Sequence, residues 1–257
     1  MIQLKSNDEL NVLRRANMVV AEVHALLREM ARPGITTADL DRVASEHLRR
    51  RGARSAFLGY QGFPNVLCTS MNEKVVHGIP SSSDVLEEGD ICSVDFGAIV
   101  DGYVGDAAQT LSVGRISDSA RRLLEVTHGA LWAAIEQCRP RKRLRDVSGA
   151  VEDYVVPHGF GVVRDFVGHG IGRKMHEEPQ VPNYRVGGRA GALRLEPGLV
   201  IAIEPMVNEG THETKVLDDG WTVVTGDGKL SAHFEHSVAV TAKGPWVLSD
   251  PDAIDPR

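Results

Sequence analysis

The stretch from Ile91 to Thr110 constrains this chain most. Apolar residues and β-formers flank Asp101-Gly102 on both sides, and Asp-Gly between such runs is among the strongest short-range hairpin signals. With those two residues as the turn, opposed residue numbers sum to 203, so Asp95 faces Ala108 and Asp106 faces Gly97. Side chains alternate along a strand. Asp95 and Asp106 therefore share a face as diagonal neighbours, with Cβ atoms about 7–8 Å apart or somewhat less. A bulge would upset that parity. Two readings stay open: two solvated acids on an outer face, or two carboxylates whose repulsion across an apolar core calls for a cation between them.

Around the hairpin the pattern is helix, helix, strands, twice over. Ser6-Asn-Asp-Glu9 is a capping box, and Leu10, Leu13, Val20, Val23, Leu27 and Met30 continue a helical stripe that Arg32-Pro33-Gly34 ends. A second helix runs through Leu40, Val43, Ala44 and Leu48 to Gly52. Ser55 to Pro80 reads as short strands and loops. After the hairpin, Ser117-Asp118 opens a third helix that stops at Arg139-Pro140, and a fourth spans about Leu144 to Val156 and closes near Gly159. A shift of 107 overlays the two halves without gaps: Arg14, Arg15, Val19, Glu29, Arg32, Pro33, Asp39 and Gly52 fall on Arg121, Arg122, Val126, Glu136, Arg139, Pro140, Asp146 and Gly159. An internal duplication of an α+β unit is expected, with halves at approximately 6–113 and 114–242 within a single domain, 1–257, and a loose polar tail at 250–257. A cleft between two such halves is a natural place for a site.

Composition then removes whole classes of function. A formal charge of −6 argues against nucleic-acid binding. No run approaches the length of a membrane span, and Met1-Ile-Gln-Leu-Lys5 lacks an apolar signal core. Three scattered cysteines, Cys68, Cys92 and Cys138, with no CxxC pair, fit a reducing cytoplasm and exclude a thiolate zinc knuckle.

In the second half, Val162 to Val167 reads as a strand leading into Gly168-His-Gly-Ile-Gly172. A dinucleotide fingerprint fails there, because the spacing is broken and no crossover helix follows. The glycines are expected to let the backbone turn sharply beside His169. Arg185 to Arg194 reads as an exposed loop, Leu199 to Glu204 as a buried strand, and Trp221-Thr-Val-Val and Ser231 to Val240 as further strands. Four carboxylates, Asp95, Asp106, Glu204 and Glu235, thus fall on strands, with His169 in a glycine turn. Brought together they would repel one another unless cations were bound. Such an oxygen-rich set suits two divalent metals with bridging carboxylates.

These residues carry a resemblance. Asn72-Glu-Lys-Val-Val-His77-Gly-Ile-Pro80, Val-Asp95-Phe-Gly, Asp-Gly-Tyr-Val-Gly-Asp106, Gly-His169-Gly-Ile-Gly, Met-His176-Glu-Glu-Pro, Ile-Glu204-Pro-Met and Phe-Glu235-His together resemble type I methionine aminopeptidases of the short bacterial form, in order and spacing over nearly the whole chain. The resemblance implies the pita-bread fold, two pseudo-symmetric αβ halves around a dinuclear metal cleft. It implies metal-dependent removal of the initiator methionine from nascent proteins when the second residue is small. Asp95, Asp106, His169, Glu204 and Glu235 would bind two ions, for which Mn, Fe, Co and Zn are all suitable. His77 and His176 would contact substrate, Glu204 would also handle the proton of the nucleophile, and Phe57, Tyr60, Phe63, Cys68, Met175 and Trp221 would form the methionine pocket. Nascent N-termini are the implied partners, the ribosome a further candidate, and a cytoplasmic monomer the implied state. Phe57, Phe63, Met175 and Val76 depart from residues common in the family, which bears on pocket shape. Aminopeptidase P and prolidase share the fold and similar ligands, and a pita-bread binder without activity is the alternative of another class.

Overall fold

The computed structural model describes residues 2–257. The capping box expected at Ser6 forms, with Ser6 Oγ accepting from the Glu9 N–H at the start of α1 (Asn7–Met30), and Thr36 and Asp39 make a second one, not anticipated, at the start of α2 (Thr37–Arg51). Gly34 and Gly52, both at positive φ (88° and 62°), turn the chain after each helix. The corresponding positions of the second half behave alike. Arg141 has φ 74° ahead of α4 (Leu144–Val155), and Gly159 has φ 85° after the 3-10 turn that extends it. The remaining long helix, α3 (Asp118–Ile135), is capped by Ser117.

The strands are antiparallel throughout. The first half holds β1 (Arg54–Ser55), β2 (Leu67–Met71), β3 (Lys74–Val76), β4 (Ile91–Val100) and β5 (Tyr103–Ser112). β4 pairs with β5 along one edge and with β1 and β2 along the other. The hairpin register is the one expected, Asp95 opposite Ala108 and Asp106 opposite Gly97, with no bulge. The second half holds β6 (Gly161–Val162), β7 (Gly168–Gly170), β8 (Glu177–Val181), a single helical turn α5 (Gly188–Gly191), β9 (Val200–Ile203), β10 (Met206–Asn208), β11 (Thr214–Val216), β12 (Val223–Thr225), β13 (Ser231–His233), β14 (His236–Thr241) and β15 (Gly244–Val247). Its main sheet has the order β15-β14-β9-β7-β8, with two three-stranded sheets, β13-β10-β6 and β11-β12-β3, beside it.

α1 and α2 pack on the β4–β5 sheet through Val20, Leu27, Leu40, Phe96 and Leu111. α3 and α4 pack on the second sheet through Leu123, Leu144, Val151, Ile201 and Val238. A third cluster, with Leu13, Tyr103, Ile171 and Trp246, lies between the two. The halves are stitched where β5 meets β14: the Glu235 N–H donates to the Ala108 carbonyl at 2.8 Å and Ser237 Oγ to the Asp106 carbonyl at 2.8 Å.

Four expectations change. The strand expected at Val162–Val167 is confined to Gly161–Val162. The Val163 N–H still reaches the Met206 carbonyl, but Arg164 and Asp165 turn to solvent and pairing ends. The strand expected from Trp221 starts at Val223, because Asp219 Oδ1 takes the N–H groups of Trp221 and Thr222. Ser231 to Val240 is interrupted at Phe234-Glu235. The tail expected to be loose lies against α1. Arg14 donates to the carbonyls of Leu248 and Asp250, and Arg257 reaches the Asn7 carbonyl and Asn11 while its guanidinium lies 4.5 Å from the Trp246 ring centroid.

Candidate metal centre and active site

The acidic side chains reach the centre in two ways. Asp95 and Asp106 do so through strand parity alone. Asp106 is buried, at 1% exposure, and its backbone is tied to α1: its N–H donates to Asn17 Oδ1, and Asn17 Nδ2 donates to the Leu13 carbonyl. Gly105 allows that approach, since a Cβ there would sit 2.5 Å from the Asn17 nitrogen. One face of α1 further along holds His24, whose Nε2 bonds the Ala107 carbonyl at 2.7 Å while Gln109 donates to its Nδ1. Asn17 and His24 sit within the apolar stripe of α1 and fix the Asp106 strand. The sequence reading missed both.

The second half uses interruptions. Glu204 follows β9 and precedes Pro205, and Glu235 occupies the break between β13 and β14. His169 sits in β7, where its pairing with β8 shifts register. The glycines beside it do not turn the chain at positive φ, contrary to expectation. They let three strands close up: a Cβ on Gly168 would lie 2.3 Å from the Ala202 carbonyl oxygen, and one on Gly170 2.3 Å from that of Glu178. His169 Nδ1 bonds the Gly170 carbonyl at 3.0 Å. With Nδ1 as donor, Nε2 presents its lone pair to the acids, 3.5 Å from Glu204 Oε1 and 3.7 Å from Asp106 Oδ2.

All thirteen residues named from the sequence line one cavity of about 240 Å³. Asp95, Asp106, His169, Glu204 and Glu235 form its polar floor. Phe57, Phe63, Cys68 and Met175 are buried together on its apolar side, with Tyr60 and Trp221 packed against them. Gly97 makes room for Phe57, because a Cβ there would lie 2.9 Å from the ring. Trp221 meets Phe63 edge-on at 5.1 Å. His77, at φ 57°, is held between the rings of Phe166 and Trp221. His176 lies 4.3 Å from His169, ring to ring, and its Nδ1 is 2.7 Å from the Tyr60 hydroxyl. Tyr60, expected as a pocket residue, therefore also orients His176. Gln61, at positive φ on the rim, was not anticipated.

The electrostatics are those of a site built for cations. Burial pushes the Asp95 carboxyl up to about 7, and burial with mutual repulsion pushes Asp106, Glu204 and Glu235 well above the carboxylate range. Burial holds His169 and His77 down at about 4 and keeps His176 below its ordinary value. One oxygen each of Asp95, Asp106 and Glu235 is buried without a hydrogen-bond partner among the described residues. Ligand atoms of Asp106, His169 and Glu235 all lie within 4.8 Å of one another. Orphaned buried carboxylate oxygens facing a neutral imidazole fit a divalent metal and fit nothing apolar.

Comparison with known proteins agrees. The family described as metallopeptidase family M24 matches residues 11–242. This chain belongs to metallopeptidase family M24. It is 49% identical to a methionine aminopeptidase of Clostridium perfringens, over 97% of this chain and 99% of that one. The crystal structure of a methionine aminopeptidase from Thermotoga maritima matches with a TM-score of 0.94 and 42% identity, over 97% of this chain and all of that one. An Xaa-Pro dipeptidase from Bacillus anthracis matches with a TM-score of 0.76 at 22% identity, over 62% of its own length. That last likeness concerns the fold. The M24 chain thus has the pita-bread fold expected of it, a mixed α and β architecture of two halves. Among its described residues no helix is long and apolar enough to cross a membrane.

Proposed function

We propose that this chain removes the initiator methionine from nascent proteins whose second residue is small, as a metal-dependent aminopeptidase. The observation that carries the reading is the cavity itself: an apolar slot beside a floor of four carboxylates and a histidine, with two further histidines at the junction. In this reading Asp95, Asp106, His169, Glu204 and Glu235 hold two divalent ions of the Mn, Fe, Co or Zn class. When bound, such a pair supplies Lewis acidity and lowers the pKa of a coordinated water.

The chain's own residues do the rest. Phe57, Phe63, Cys68, Met175 and Trp221 receive the methionine side chain, whose soft thioether suits aromatic edges. The Tyr60 hydroxyl donates to Nδ1 of His176, leaving the ring proton on Nε2 to donate to the carbonyl oxygen as charge develops there. Glu204 accepts the proton of the attacking water. His77 positions the scissile amide and crowds the second residue. Nascent N-termini are the proposed substrates, the ribosome a candidate partner, and a cytoplasmic monomer the proposed state. We further infer that the halves 6–113 and 114–242 arose by duplication, supported by the matched positive-φ turns at 34 and 141 and at 52 and 159.

A peptide series tests the activity. Metal-reconstituted protein is expected to cleave Met-Ala, Met-Gly and Met-Ser peptides, to spare Met-Lys and Met-Phe, and to leave formylated or acetylated peptides intact. Equal kcat/KM for Met-Ala and Met-Phe would overturn the steric argument. Preference for an Xaa-Pro panel would overturn the pocket assignment.

A further inference from the structure

Several buried polar atoms near the cavity belong to the proposed metal ligands, but one donor stands apart. His233 ends β13 at 2% exposure. Its Nε2 is buried without a hydrogen-bond partner among the described residues, 3.9 Å from Glu204 Oε2. A buried orphan of this kind calls for an explanation.

The backbone of His233 is held from both halves. Its N–H donates to Thr110 Oγ1 of β5, and the same hydroxyl donates back to its carbonyl, each at 2.9 Å. It is registered against Met206, two residues after Glu204. Glu204 therefore stands between two imidazoles, with Oε1 3.5 Å from His169 and Oε2 3.9 Å from His233. A glutamate at a strand end is free to rotate about its last torsion and exchange its oxygens. A fixed donor on one side selects one orientation. Closing to hydrogen-bond range needs a movement of about 1 Å, within reach of that rotation.

We propose that His233 is a positioning residue for Glu204: its Nε2–H donates to Glu204 Oε2 and fixes the carboxylate so that Oε1 faces the metal centre. This rests on the reading of Glu204 as a metal ligand. Groups that orient ligands from outside are worth about 10–100-fold in metal affinity.

The test is calorimetric titration of metal-stripped, full-length protein with Mn²⁺, comparing His233→Gln, His233→Asn, Glu204→Gln and His233→Asn with Glu204→Gln together. The glutamine amide nitrogen reaches the place of Nε2, whereas that of asparagine falls near Nδ1. His233→Asn is expected to weaken Mn²⁺ binding about 10–100-fold, His233→Gln to stay near wild type, and the double variant to lose no more than Glu204→Gln alone. Wild-type affinity in His233→Asn, or equal losses in the two His233 variants, would overturn the positioning role. A large fall in the metal-free melting temperature of His233→Asn would make the residue structural and overturn it too. Wild-type affinity in Glu204→Gln would overturn the ligand reading itself.

Discussion

Asp95 and Asp106 come from an unbroken ten-residue pairing, whereas His169, Glu204 and Glu235 come from places where short strands shift or stop. A continuous hairpin places side chains by parity, so two acids on it are set once the turn is set. Strand ends leave the backbone free to aim a side chain, but aiming requires other parts of the fold: Gly168 and Gly170 against β9 and β8, and Ala108 accepting from Glu235. Half of the centre is local geometry and half is assembly.

The sharpest way to break the comparison is at Asp106, where the two halves meet. An amide there would neither bridge nor neutralise the two ions proposed for the site. Asp106→Asn is expected to lower activity by about a thousand-fold or more and to cut metal content. Near-normal turnover at full metal occupancy would remove the hairpin from the site.

Next comes the assembled side. His176→Ala is expected to lower kcat by about 100–1000-fold, with metal stoichiometry intact by elemental analysis. Tyr60→Phe, which removes the bond that orients His176, should cost up to about tenfold. Loss of metal in His176→Ala would make that residue a ligand.

Protons compete with metal mainly at the carboxylates. Because burial raises these acids, Asp95 to about 7, the proton-bound form dominates below that value and must be displaced when metal binds. Apparent metal affinity should therefore fall by at least about tenfold per unit as pH drops below about 7, with protons released on binding. Calorimetry in buffers of different ionisation enthalpy measures that release. A flat profile between about pH 8 and about pH 6 would show that the acids are already ionised in the free protein.

The smallest effect compares the packing on each side. Gly105→Ala drives a methyl into the α1 backbone, and Gly170→Ala drives one into Glu178. Each is expected to cost about 1–3 kcal/mol in denaturant unfolding of the metal-free protein. Wild-type stability in either would mean that the neighbouring strand or helix gives way freely.

The sequence alone determined the four long helices, the hairpin register and the family, and it named the acids and the imidazole that the fold brings to one cavity. Caps, Asp-Gly turns and period-two alternation act over a few residues, so no long-range contact is needed to read them. Only the tertiary structure decided what holds those residues still. Asn17 and His24 are only two polar positions within a helical stripe until α1 is laid on β5, Tyr60 is pocket wall until it meets His176, and His233 is one more strand residue until it lies 3.9 Å from Glu204. The same holds for the tail, which Arg14 and Arg257 draw onto α1 across most of the chain's length. Contacts between residues 29 to 250 positions apart leave no local pattern, because a polar side chain in a sequence does not announce its partner.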